Sequence, residues 1–218
     1  MILYLISDTL SVVSTALQQS PPLNWTSILV ALIGLLSGGG LTKIILELID
    51  KINTSKSRTA FEDISKIYDS MQNILDKTQM KRILIFASHN SGQEIKAGVK
   101  LYTSVFYEKL NSPFKSVKQE YQDVPLDADY VNMLVEIMTK GEIIVHTNKI
   151  QNGLLKAIYD QEGVKLSIVL YLTDSKRKKV WYMSCSTNED TSELTKYESE
   201  LIKKEADAIG KIIKKYNR

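Results

Sequence analysis

The chain has 218 residues and 28 Lys plus Arg against 25 Asp plus Glu, a formal charge of +3 that is too mild to argue for a nucleic-acid partner. One cysteine, Cys185, excludes an internal disulfide and a cysteine-rich metal site, and the two histidines, His89 and His146, have no companions at metal-ligand spacing. No phosphate-binding glycine loop, G-x-S-x-G elbow or H-E-x-x-H pair occurs, so no metal, cofactor or common enzyme class is indicated.

Charge is distributed unevenly along the chain. From Thr9 to Thr42 there is no Asp, Glu, Lys or Arg, and thereafter charges recur every few residues. Residues 1–22 read as a short extracytoplasmic segment, because Asp8 interrupts the run and its length is insufficient for a crossing. Residues 23–42 are free of charge and, at about 1.5 Å per residue, reach across a hydrocarbon core of roughly 30 Å. Trp25 stands at one end as an interfacial aromatic, and Lys43 opens the charged side.

Ser27, Ala31, Gly34 and Gly38 form a small-residue stripe that suits close packing of two membrane helices. Chance spacing among many small residues accounts for it equally well. Lys43, Lys51, Lys56 and Arg58 follow the span and no basic residue precedes it, which puts the N-terminus outside and the rest in the cytoplasm. The rival reading is a structural component of a phage or virion-like assembly, with this apolar helix packed in protein. Beyond the glycines, Leu41, Ile44, Ile45, Leu48, Ile49 and Ile52 continue the helix as an amphipathic extension to residue 52.

Residues 53–80 form a connector. "NTSKSR" (53–58) reads as a polar break, after which Thr59 and Glu62 have the spacing of a capping box. Phe61, Ile64, Tyr68, Met71, Leu75 and Thr78 then alternate spacings of three and four. That seam serves either a coiled coil with a second copy or packing on the protein's own sheet.

Residues 81–218 change to the period of strands. "RILIFASH" (82–89) and "KLYTSVFYEKL" (100–110) predict two strands, and residues 116–125 an irregular stretch. "DADYVNMLVEIMTKG" (127–141) predicts a helix with an Asp cap and a Gly stop. A strand at "EIIVHTNK", a short helix at "QNGLLKAIYDQEG" and a hairpin around "SKRK" follow. The last helix is expected to be capped near Asp190 or Thr191. This order predicts an α+β fold, an antiparallel sheet with the two long helices packed on one face.

The element order, together with "RILIFASHNSG" (82–92), "EYQDVPLDADYVNMLVEI" (120–137) and "GEIIVHTN" (141–148), resembles a GAF-type sensory domain over roughly residues 60 to 216. The resemblance is to a divergent GAF-like group found in bacterial and phage membrane proteins. It implies a GAF-like cytoplasmic domain on a single-pass anchor, a non-enzymatic homodimer in the bilayer that senses a small molecule or binds a protein. Asn148-Lys149 matches the start of the cyclic-nucleotide signature of the family, but no phenylalanine follows Phe114, so that signature is absent. Cys185 is not where bilin-binding members carry theirs, and reads as a small buried hydrophobe.

The family's architecture would place a pocket between the sheet and the helix after the irregular segment. His89, Asn90, Tyr121, Asp123, Tyr130 and His146 are the candidate ligand-binding residues there; the plainer alternative is strand-ending turns and surface hydroxyls. Lys176, Arg177, Lys178 and Lys179 suit either anionic lipid headgroups or a solvated hairpin tip.

Overall fold

The computed structural model describes residues 40–112, 114–150, 153–175, 178–189 and 193–217. The chain divides into two units, Met1–Ala60 and Phe61–Arg218. Ser27, Ala31, Gly34 and Gly38, and most of the expected span, lie outside the described residues. Among those described, no helix is long and apolar enough to cross a membrane.

The first helix, α1, runs without interruption over Gly40–Lys77. The polar break expected at 53–58 is therefore corrected: those residues are helical. Thr59 is not a cap either. It lies inside the helix with its hydroxyl donating to the carbonyl of Ser55 at 3.0 Å, as that of Thr54 does to Asp50 at 2.8 Å. Such back-bonding to the preceding turn lets hydroxyl residues sit within a helix that sequence alone reads as a loop.

The remaining elements are β1 (Arg82–His89), β2 (Tyr102–Leu110), β3 (Val124–Pro125), α2 (Ala128–Lys140), β4 (Glu142–His146), α3 (Leu154–Gln161), β5 (Leu166–Ser175), β6 (Lys179–Thr187) and α4 (Lys196–Tyr216). The strand expected at 142–149 is shorter, since Thr147–Lys149 turns into a 3-10 helix. The described strands form one antiparallel sheet in the order β3-β2-β1-β6-β5-β4. Register shifts at Ile85/Phe86 and at Tyr171/Thr173 insert bulges that increase its local twist.

Alternation sorts the side chains of the two central strands. Ile83, Ile85 and Ala87 of β1 join Trp181, Met183 and Cys185 of β6 on one face, which α1 covers with Ile67, Met71, Ile74 and Leu75, and α4 with Ile202, Ala206, Ile209 and Ile213. The seam of α1 thus packs on its own sheet through Met71 and Leu75, while Phe61 is 72 % exposed. Leu84 and Phe86 of β1 and Tyr182 of β6 point to the other face, beneath Tyr130, Met133, Leu134 and Ile137 of α2. With both faces covered, β1 is buried at every position, which is why it reads as a continuous apolar run. Cys185 has no exposure, and burial pushes its thiol well up from the ordinary value.

Caps fix the helix ends. Asp127 caps α2 by accepting from the Tyr130 N–H at 2.8 Å, and Gly141 ends it at φ +86°. The start of α4 is corrected from Asp190 or Thr191 to Thr195, where Thr195 and Glu198 form a reciprocal capping box. Glu198 also accepts from the Gln79 N–H at 2.8 Å, tying this cap to the turn that follows α1.

Candidate functional site

Between the sheet and helices α2 and α3 lies a small, partly enclosed cavity of about 40 Å³. Period-two alternation supplies its floor: Arg82, Leu84 and Phe86 from β1, Tyr182, Ser184 and Ser186 from β6, Thr103 from β2 and Val169 from β5. Tyr130 and Met133 of α2, and Leu155, Ile158 and Tyr159 of α3, form the wall. One carboxylate aligns the two helices. Asp127 caps α2 through Oδ1 while its Oδ2 accepts from the Leu154 N–H, the first residue of α3, at 3.1 Å.

The lining is mostly apolar with three polar features. The first is a chain of buried hydroxyls: Thr103 Oγ1 is 2.6 Å from the Tyr182 hydroxyl, which is 3.0 Å from that of Tyr130. Phe86 stacks on Tyr182 at 5.0 Å between centroids, the two rings nearly parallel. The second is the pair Ser184 and Ser186, both bonded to Ser167 outside the lining: the Ser167 and Ser184 hydroxyls are 2.9 Å apart and Ser186 Oγ is 3.3 Å from that of Ser167.

The third is an ion pair. Arg82 Nη1 donates to Glu162 Oε2 at 2.9 Å, with the Arg82 side chain 3 % and the Glu162 side chain 12 % exposed. The guanidinium also lies 4.5 Å from the ring centre of Phe114. Tyr121 donates its hydroxyl to Glu162 Oε1 at 3.3 Å. Burial and the Glu162 carboxylate push the Tyr121 phenol up to about 12. Burial does the same to Tyr182, to about 12, and raises Tyr130 well above the ordinary value. All three therefore stay protonated donors at physiological pH.

Of the six candidate residues, Tyr121 and Tyr130 line this cavity. His89, Asn90 and Asp123 gather elsewhere, where β1 ends. His89 Nε2 is 3.0 Å from Ser104 Oγ and 3.4 Å from Asp123 Oδ1, and Asn90 accepts from the Gln93 N–H in the following turn. The Ser-His-Asp trio lacks the geometry of a nucleophile relay. Serine and carboxylate meet the same imidazole nitrogen, while Nδ1 accepts from the Ser91 N–H at 3.4 Å. Burial lowers the His89 pKa, the nearby Asp123 partly opposing it, so the ring is neutral at pH 7.

His146 lines a separate, open and polar groove of about 620 Å³ with Lys149, Lys156 and Lys165. In the β5–β6 hairpin, Lys178 lies in the turn. Lys179 sits over the rings of Phe106 and Trp181, 5.1 and 5.7 Å from their centres, while Lys176 and Arg177 lie outside the described residues. No group of three or more His, Cys, Asp or Glu side chains that could hold a metal occurs among the described residues.

Sequence reading missed Arg82, Thr103, Glu162, Tyr182 and the three serines. Their one local signal is Arg82, the only charge in an apolar strand whose alternation puts it beside Leu84 and Phe86.

The fold has similar counterparts among solved structures. It is similar to a far-red cyanobacteriochrome photoreceptor, with a TM-score of 0.54 and 14 % identity over 81 % of this chain and 99 % of that one. It is similar also to the GAF domain/HD domain protein of Geobacter sulfurreducens, with a TM-score of 0.52 and 8 % identity over 72 % of this chain and 95 % of that one. A GAF domain from Synechocystis in its photoproduct state matches with a TM-score of 0.51 and 8 % identity, covering 72 % and 99 %. No protein-family model matches the chain, and no curated protein matches it. The fold is GAF-like, an α+β arrangement of an antiparallel sheet with helices on both faces.

Proposed function

We propose that this chain is a GAF-like sensory module whose ligand place is the cavity between the sheet and helices α2 and α3. The observation that carries the reading is the lining itself: a partly enclosed, mostly apolar space into which a buried Arg82–Glu162 pair and a tyrosine pair converge. GAF-domain and photoreceptor neighbours with this fold support a sensory role. The route for a signal is short. Leu84 and Phe86 face the cavity while Ile83 and Ile85, on the same strand, pack in the layer covered by α1 and α4. A ligand that shifts β1 therefore biases α1, and output passes by protein contact rather than by catalysis.

The module is a homodimer anchored to the bilayer by residues 23–42, N-terminus outside, in this reading. The charge-free run and the exposed Phe61 on α1 support those two points. Native mass spectrometry on the full chain released from detergent tests the ligand claim. A retained small molecule, lost in the cavity-filling variant Leu155→Trp, is the expected result. An empty chain that no compound of a metabolite panel stabilises against heat would refute it. A cytoplasm-dependent reporter fused after Arg218 tests the topology, and silence at normal expression reverses it.

A further inference from the structure

Three features of the cavity converge on one side chain. Arg82 is 3 % exposed, and its Nε–H is buried without a hydrogen-bond partner. Glu162 engages only the Nη1 side of the fork, although a guanidinium is shaped to hold a carboxylate through two parallel donors. A buried donor left unpaired is costly, and a native fold that keeps one calls for an explanation.

Glu162 is placed to move. It follows the last turn of α3 as its C-cap, before Gly163 at φ +66°. Glu162 and Val117 line the partly enclosed cavity on one side and an open groove of about 460 Å³ on the other. With Glu162 in place the partly enclosed space of about 40 Å³ falls far short of the roughly 300 Å³ at which ligand pockets begin. Swinging its carboxylate towards the groove would break its bonds to Arg82 and Tyr121 and free the guanidinium.

We infer that the cavity takes a short-chain monocarboxylate, which displaces Glu162 from Arg82 and puts its apolar body against Leu84, Phe86, Met133 and Val169. Glu162 is then the resident stand-in for the ligand's carboxylate and the gate of the site. The exchange conserves charge at the guanidinium: one carboxylate replaces another, and the displaced one is rehydrated in the groove. A neutral ligand would leave Arg82 a buried uncompensated cation if it moved Glu162, and so is rejected. The inference rests on the proposed sensory reading of this cavity and names its ligand class.

The test titrates butanoate, and separately butan-1-ol, into the full chain in nonionic detergent, followed by the methyl resonances of Met133 and Ile158. Wild type and Glu162→Gln are compared, with Glu162→Asp, which keeps the charge on a shorter arm, as the second variant. Butanoate is expected to bind about tenfold more tightly to Glu162→Gln than to wild type, with an intermediate gain in Glu162→Asp, because the competing charge-assisted bond is weakened. Butan-1-ol is expected to bind at least about tenfold more weakly than butanoate to every form. Equal affinity for acid and alcohol overturns the carboxylate inference and leaves the cavity a ligand site. If neither probe shifts either methyl in any form, the carboxylate inference falls, and the sensory reading falls with it only where the metabolite panel also leaves the chain unstabilised.

Discussion

Asp127 and Leu154 are joined by a single hydrogen bond, 3.1 Å from the Leu154 N–H to Oδ2, while the other oxygen of the same carboxylate caps α2. Two helices that share a cavity are therefore set by one side chain. Asp127→Ala is expected to destabilise the domain by about 1–2 kcal/mol, the usual cost of a lost cap, plus the tie to α3. Asp127→Asn keeps a good cap and should cost less than half of that. Amide hydrogen exchange separates the effects. The Leu154 amide should exchange faster in both variants and the Tyr130 amide only in Asp127→Ala; equal protection of Leu154 in wild type and Asp127→Asn would remove the coupling.

The hydroxyl chain predicts non-additive energetics. Tyr182→Phe leaves both Thr103 Oγ1 and the Tyr130 hydroxyl without the partner they have now, and should cost about 1–3 kcal/mol in urea unfolding. Tyr130→Phe removes one of the two bonds. The double variant should cost less than the sum of the singles by about 0.5 kcal/mol or more, the mark of a shared bond. Additivity to within about 0.3 kcal/mol would mean that the hydroxyls act independently.

Asp63 of α1 predicts a pH dependence. Its carboxylate accepts from Lys215 at 2.6 Å, Tyr216 at 2.8 Å and Lys66 at 3.2 Å. The bonds from Lys215 and Tyr216 hold its pKa down from 3.8 to about 2. A folded pKa below the unfolded one gives stability that is complete above about 4 and is lost as pH falls towards about 2. The difference in stability between wild type and Asp63→Asn should hold from pH 7 to about 5 and shrink between about 4 and 2. A difference that does not change across that window would show that the carboxylate's charge plays no part.

Gly210 predicts a sign reversal. Alanine is favoured over glycine inside a helix by about 1 kcal/mol. A Cβ at Gly210, however, would meet the backbone oxygen of Leu172 on β5 at 2.8 Å, and a backbone carbonyl has no rotamer with which to yield. Overpacking of about 1–3 kcal/mol should therefore exceed the helical gain. Gly210→Ala is expected to lower the Tm, and a raised Tm would show that α4 does not sit this close to the sheet.

Much of this architecture is legible in local sequence signals. The apolar run at Arg82–His89, the Asp127 cap and the Gly141 stop are local signals, and each element formed where its signal stood. The helix through residues 53–58 escaped notice because periodicity reports only an apolar face. A solvated stretch of lysine, serine and arginine presents none, yet its residues propagate a helix already begun on either side. The start of α4 was misplaced because this stretch offers two capping-box spacings, Asp190 with Glu193 and Thr195 with Glu198, and the helix starts from the second. The cavity was half legible. Tyr121 and Tyr130 follow from the irregular segment and the helix after it. Arg82 and Glu162 meet across 80 positions of sequence, a pairing without local signature. His89 and Asp123, by contrast, found each other at a strand end away from the cavity.

The strand order carries a last consequence. Hairpins close β1 on β2 and β6 on β5 through nearby turns, but the pairing of β1 with β6, Phe86 opposite Tyr182, joins distant stretches of chain. That seam bears the loop-closure entropy of folding. The floor of the cavity straddles it, with Arg82, Leu84 and Phe86 on one bank and Tyr182, Ser184 and Ser186 on the other. A molecule held in the cavity would therefore work as a clasp across the junction of two half-sheets. By mass action its binding free energy adds to the cohesion of the whole sheet. Under the proposed reading, occupancy would raise stability, and the protein's lifetime in the cell would then report the ligand's concentration.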